Sequence, residues 1–177
     1  MSETVTNQVK TPGEKWLTCN GQQLRNMIKA GLAALDQNHK LVNDLNVFPV
    51  PDGDTGTNML LTMRAAYGRI QDIEEDHVGK VAQELSHGAL MGARGNSGVI
   101  LSQIWRGLAR GLKDKETFNV EDLAVAFQDS ADTAYKGVMR PVEGTILTVI
   151  REGAEEAQDA ATKSSDLRFL LARVVER

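Results

Sequence analysis

Asn20-Gly-Gln-Gln-Leu24-Arg-Asn-Met27-Ile28-Lys-Ala-Gly-Leu32-Ala-Ala-Leu35 sets its large apolar residues at i, i+3, i+4, i+8 and i+11, behind a residue suited to cap a helix. Side chains at that spacing share one helical face, so the stretch predicts an amphipathic α-helix with Asn20 as its N-cap. The same period returns in Met59, Leu60, Met63, Tyr67 and Ile70, and in Val78, Val81, Leu85 and Ala89. It continues in Ile100, Leu101, Ile104, Leu108 and Leu112, and in Leu123, Phe127, Ala131, Ala134 and Val138 behind Asn119. Ile146, Val149, Ile150 and Ala154 form a sixth pattern, and Leu167, Leu170, Leu171 and Val174 a seventh that starts at Ser165. No Val/Ile-rich run alternates with these helices as a parallel sheet would require. The expected fold is all-α.

Composition agrees. The chain has 177 residues but only four Phe, two Trp and two Tyr, so Leu, Ile, Val, Met and Ala must build the core, a palette that favours helices. One core and one domain are the expectation for this length, over residues 16–177, with residues 1–15 read as a loose, aperiodic leader. The last pattern stops at Arg177 without cap or breaker, which reads as the N-terminal part of a longer chain. A formal charge of −4 with no basic block argues against nucleic acid as a partner. No apolar run approaches a membrane span and no signal-peptide core opens the chain, so a cytoplasmic protein is expected. The single cysteine, Cys19, reads as an inert thiol.

The chemistry is expected in three glycine-bearing loops. Asn46-Val-Phe-Pro-Val-Pro-Asp52-Gly53-Asp54-Thr55-Gly56-Thr57-Asn58 holds two carboxylates one residue apart on a backbone freed by glycine. Left alone they repel, and a hard cation such as Mg²⁺ between them is one resolution, with Asn46, Thr55, Thr57 and Asn58 as neutral oxygen donors. A capped turn is the other reading, since Asp-Gly is common in turns and Asp, Thr and Asn are good N-caps. An EF-hand loop counted from Asp52 fails, because Thr57 and Met63 stand where Gly and Glu are required. A haloacid-dehalogenase-like Asp-x-Asp loop lacks its buried strand.

Gly92-Ala93-Arg94-Gly95-Asn96-Ser97-Gly98 leads into the helix through Ile104. Free N–H groups at that terminus suit an anion, with Ser97 as a hydroxyl donor and Arg94 as a positive charge, though Asn96 or Ser97 could instead serve as an N-cap. No Gly-Lys-Ser/Thr follows, so this is not a Walker loop. Arg140-Pro141-Val142-Glu143-Gly144-Thr145 is the third break, with Thr145 as a candidate cap. A metal loop and an anion-binding helix terminus are complementary halves of a Mg-nucleotide site, and phosphoryl transfer needs mainly positioning and charge neutralisation.

Together the three loops resemble the DhaL (DAK2) family over roughly residues 20 to 177, and within it the nucleotide-binding domain of the fatty-acid kinase branch. The resemblance implies an antiparallel barrel of about eight helices, the last one missing here, with Mg-ATP at one rim. It implies that Asp52 and Asp54 ligate a pair of Mg²⁺ ions, that Gly95, Asn96, Ser97 and Gly98 hold phosphates with Thr55, Gly56, Thr57 and Asn58 beside them, and that Thr145 lies near the nucleotide. Arg94 and Arg140 would neutralise transition-state charge. The dihydroxyacetone-kinase branch carries a third Asp five residues before the first of the pair, where this chain has Val47, and Asn46 is the nearest oxygen donor.

In the fatty-acid branch a separate acyl-binding subunit presents the carboxylate that takes the γ-phosphate, giving an acyl phosphate. An ionised carboxylate needs no general base, and His39, His77 and His87 stand outside the three loops. A dihydroxyacetone (glycerone) kinase L-type subunit, or a non-catalytic nucleotide-binding regulator, are the alternatives. A homodimer of the full-length protein is compatible with each.

Overall fold

The computed structural model describes residues 14–177, so most of the expected leader lies outside the described residues. Among these residues it is all-helical: α1 (Gly21–Asp44), α2 (Thr55–Ile70), α3 (Val78–Met91), α4 (Gly95–Gly111), α5 (Val120–Lys136), α6 (Ile146–Lys163) and α7 (Leu167–Glu176). Each corresponds to one apolar pattern in the sequence. Asn20 and Asn119 both close capping boxes, accepting from the third helical N–H while that residue's side chain accepts from, or reaches, the cap N–H. Two boundaries differ from the periodicity. Val138 lies past the end of α5, because Gly137 terminates the helix, and α7 starts at Leu167 rather than Ser165, because Asp166 is the residue whose side chain accepts the Arg168 N–H.

Successive helices pack on one another and reverse direction through short links, so the loops sort to two ends. One end is stitched by backbone. Cys19 and Phe118 exchange hydrogen bonds at 2.8 and 3.0 Å, Gly21 N–H donates to Asp76 (2.7 Å), Val78 N–H to Glu116 (2.9 Å) and Leu167 N–H to Trp16 (2.8 Å). Residues 16–21 thus strap the links after α2, α4 and α6. Burial in this strap pushes the Cys19 thiol up to about 12, which leaves it protonated and unreactive at neutral pH. The opposite end carries all three glycine loops, on the links that precede α2, α4 and α6.

Leu85, Leu112, Leu147, Leu167, Leu170, Ile70 and Phe118 are fully or almost fully buried. Each such side chain contributes roughly 1.5–3 kcal/mol on burial. Buried alanines at 66, 82, 89, 126, 134, 157 and 160 let the helices approach closely. An apolar cleft of about 390 Å³ lies between α1, α2, α4 and α5, where Trp105 Nε1–H finds Met63 Sδ at 3.1 Å. No described helix is long and apolar enough to cross a membrane.

Candidate functional site

The acidic loop enters α2 under the control of two asparagines. Asn46 Oδ1 accepts the N–H groups of Asp54 and Thr55, both at 3.3 Å, and its Nδ2 donates to the Val50 carbonyl at 2.9 Å. Asn43, in the last turn of α1, accepts the Thr57 N–H (3.0 Å) and donates to the Thr57 hydroxyl (2.9 Å). These amides do the capping. Asp54 occupies the N-cap position of α2 but makes no side-chain cap bond, and the Asp52 and Asp54 carboxylates accept no hydrogen bond among the described residues. Both aspartates are exposed. The carboxylates are not spent on the turn, which Asn43 and Asn46 hold instead.

The glycine-serine loop is treated oppositely. Arg94 stands at the N-cap of α4 without a side-chain cap, and Asn96 and Ser97 lie inside the first helical turn instead of capping it. Gly98 N–H returns to the Arg94 carbonyl at 3.0 Å, while the N–H groups of Gly95, Asn96 and Ser97 meet no acceptor among the described residues. The first turn of α4 therefore presents open donors at the positive end of a helix dipole.

Three contacts join these loops. The Ser97 hydroxyl donates to the Thr55 carbonyl at 3.3 Å. The buried Thr62 hydroxyl donates to the Asn58 carbonyl (2.8 Å) and accepts the Arg94 N–H (3.2 Å). Gly95, at φ +57, lies against Asn58, so that a Cβ there would stand 2.2 Å from Asn58 Nδ2. Gly56 in turn lies on α1, where a Cβ would fall 2.1 Å from the His39 carbonyl oxygen. Thr55, Asn58, Arg94, Gly95 and Ser97 are thereby brought together, with Asp54 one residue away along the chain from Thr55.

The third loop lies at the same end but is joined to the other two by no hydrogen bond or ion pair among the described residues. Its own order comes from Glu143, which accepts from Tyr135 Oη (2.7 Å), Thr148 Oγ1 (2.7 Å) and Arg151 (3.3 Å). Those donors hold the Glu143 carboxyl below its ordinary range, the Thr148 hydroxyl foremost. Thr145 caps α6 by accepting the Leu147 N–H at 3.2 Å. Among the described residues the Arg94 guanidinium reaches only the neighbouring Ala93 carbonyl (3.1 Å), and the exposed Arg140 has no ion pair.

Asn43, Thr62 and Glu143 escape a reading of sequence. Asn43 sits in a polar helix end, Thr62 interrupts an apolar face, and Glu143 is one acid among many. Spacing offers a partial signal only for Thr62, which stands four residues after Asn58 and can reach its carbonyl.

As for metal, the described residues hold no group of three or more His, Cys, Asp or Glu able to bind an ion. Two unencumbered carboxylates remain. That donor set fits Mg²⁺, which commonly takes one or two carboxylates and completes its shell with phosphate and water.

The DAK2 domain family model matches residues 49–177, from within the acidic loop to the last helix. Protein YloV of Bacillus subtilis is 49% identical over 159 residues, covering 90% of this chain and 29% of that protein. Uncharacterized proteins of Staphylococcus epidermidis and Staphylococcus saprophyticus are 45% and 46% identical over 157 residues, each covering 89% of this chain and 28% of the relative. The chain thus spans less than a third of the length of these curated relatives. With Asp52, Asp54 and all of α2 to α7 inside the matched span, the chain belongs to the DAK2 domain family.

Proposed function

We propose that this chain is the Mg-ATP-binding half of a two-component kinase, donating the γ-phosphate to a fatty-acid carboxylate that a separate acyl-binding protein presents. The family is kinase-related, and its domains bind ATP or ADP. The observation that carries the reading is the junction, through Ser97–Thr55 and Arg94–Thr62, of an uncapped helix terminus with the loop whose two exposed aspartates are unpaired among the described residues.

In this reading Asp52 and Asp54 would hold a pair of Mg²⁺ ions, and Asn46 fixes the loop that carries them. Bound Mg²⁺ would supply charge neutralisation to the triphosphate. The open N–H groups of Gly95, Asn96 and Ser97 receive phosphate oxygens, and Gly98 lets α4 lie close to Thr62. Thr55, Gly56, Thr57 and Asn58 shape the facing wall. Arg94 and Arg140, both exposed, are free to swing onto charge that develops on transfer, and Thr145 borders the nucleotide at the start of α6.

A carboxylate acceptor is favoured because no histidine side chain hydrogen-bonds to any of the three loops among the described residues. His77 caps α3 at the stitched end, and His39 Nδ1 lies 2.7 Å from the Asp36 carbonyl. An acceptor that arrives ionised needs no base. Protein partnership is supported by exposed apolar side chains at the loop end, including Leu45, Val47, Phe48, Val50, Met91 and Met139.

The test is calorimetry of the purified chain with ATP, in Mg²⁺ and again in EDTA. Saturable uptake only with Mg²⁺ is expected; a folded sample that takes up no nucleotide in Mg²⁺ overturns the reading. Turnover with a fatty-acid-loaded acyl-binding protein, compared with dihydroxyacetone, then decides the acceptor.

A further inference from the structure

A groove of about 650 Å³ runs over the outer face of α4, walled by α3 and by the C-terminal end of α5. Lys80, Arg106, Arg110, Lys113 and Lys136 line it, with Asp114 the single carboxylate of the lining. The whole chain carries a net charge of −4, so this concentration of cations is not a consequence of composition. Two of the five are answered: Lys80 by Glu75 at 3.0 Å and Arg110 by Asp129 at 2.8 Å. Arg106, Lys113 and Lys136 are exposed and have no carboxylate within ion-pair distance among the described residues.

Helix termini explain part of this, since Lys113 and Lys136 stand at the C-terminal ends of α4 and α5, where cations are favoured. Arg106 has no such reason. It lies in the middle of α4, four residues before Arg110, a spacing at which like charges repel. Arg106 and Arg110 share one face of α4, about 6 Å apart along the axis, and Lys113 follows in the turn just beyond the end of the helix. Gln83, Ser86, Gln103, Thr133 and His77 add further polar side chains to the wall. The volume lies within the range of small-ligand sites, about 300–1,000 Å³.

We propose that this groove is a second ligand site, which binds a small anion carrying several phosphate or carboxylate groups. Its centre is separate from the nucleotide reading above, because Arg106 stands eleven residues, about 16 Å of helix axis, beyond Gly95. Arg106 supplies the planar fork that grips one anionic group, while Lys113 and Lys136 hold the others as point charges. Filling the site relieves the repulsion between Arg106 and Arg110.

The test uses the whole chain, labelled with ¹⁵N, in EDTA at low and high salt. Sodium tripolyphosphate and citrate are the probes, and hexaglutamate serves as an acidic peptide. Three proteins are compared: the parent, Arg106→Gln/Lys113→Gln/Lys136→Gln, and a surface control, Lys29→Gln/Lys40→Gln. Circular dichroism verifies that each is folded. Saturable binding of tripolyphosphate or citrate is expected in the parent and the control, with amide shifts centred on residues 106–113. Affinity should fall about tenfold or more in the triple variant and decline with salt. The two probes distinguish a phosphate from a carboxylate ligand. The proposal is overturned if the parent binds neither probe, if the triple variant binds as the parent does, if the control loses as much, or if only hexaglutamate binds. Displacement of the probe by Mg-ATP would likewise overturn it, since the groove would then belong to the nucleotide.

Discussion

The Arg94 backbone N–H donates to the buried Thr62 hydroxyl at 3.2 Å, across 32 positions of sequence, and so fixes where α4 begins relative to α2. One hydroxyl serves two loops, because it also donates to the Asn58 carbonyl at 2.8 Å. The relative placement of the acidic loop and the uncapped helix terminus depends on this bond. Thr62→Val keeps the shape of the side chain but leaves the Arg94 N–H without its acceptor. A loss of about 1–3 kcal/mol in chemical denaturation is expected, with a weakened nucleotide affinity although residue 62 is out of reach of any ligand.

Glycines 56 and 95 should respond differently to alanine. At Gly56 the added methyl meets the His39 carbonyl oxygen, a backbone atom that cannot rotate away, so α1 and α2 must part. Gly56→Ala is expected to lower stability by about 1–3 kcal/mol in urea denaturation. At Gly95 the clash is with the Asn58 side chain, and the left-handed φ of +57 adds about 1–2 kcal/mol. Gly95→Ala should therefore remain folded at room temperature while calorimetry records a marked loss of Mg-ATP uptake.

Asp52→Ala and Asp54→Ala remove exposed carboxylates that make no cap, so helix content by circular dichroism should not change. Mg-dependent ATP binding should be abolished in both. Unfolding of either variant would show that the aspartates serve the loop itself.

Asp166 gives a pH signature at the stitched end. Its carboxylate accepts from the Arg168 side chain, the Arg168 N–H (3.0 Å) and the Trp16 N–H (3.1 Å), and the Arg168 guanidinium leads in holding it down to about 2, against 3.8 for a free aspartate. The folded state thus binds this proton less readily than the unfolded chain. The stabilisation is complete above about pH 4 and fades as pH falls toward 2. Asp166→Ala should cost about 0.5–2 kcal/mol at neutral pH, as for the loss of an N-cap, and the gap to the parent should narrow below pH 4. Thermal unfolding across that range measures it.

The helices were legible in the chain because their causes are local. Apolar residues at a 3.6-residue period define a face wherever the rest of the molecule lies, and Asn20, Asn119 and Thr145 cap within three residues of themselves. The loops were legible for a similar reason: Gly53 and Gly95 advertise left-handed backbone, and Asp52 and Asp54 advertise charge without a partner.

Local pattern says nothing about which ends meet. That α2 and α4 start side by side is a product of antiparallel packing, and only that packing turns Thr62 from an interruption in an apolar face into the hinge-pin of two loops. Asn43 acts on Thr57 across fourteen residues, and Arg106, Lys113 and Lys136 share a groove because α4 and α5 lie against each other. Sequence determined the elements and their chemical inventory, since those follow from short-range sterics and capping. Tertiary structure alone decided the company each side chain keeps, because long-range neighbours are set by the burial of all seven helix faces at once.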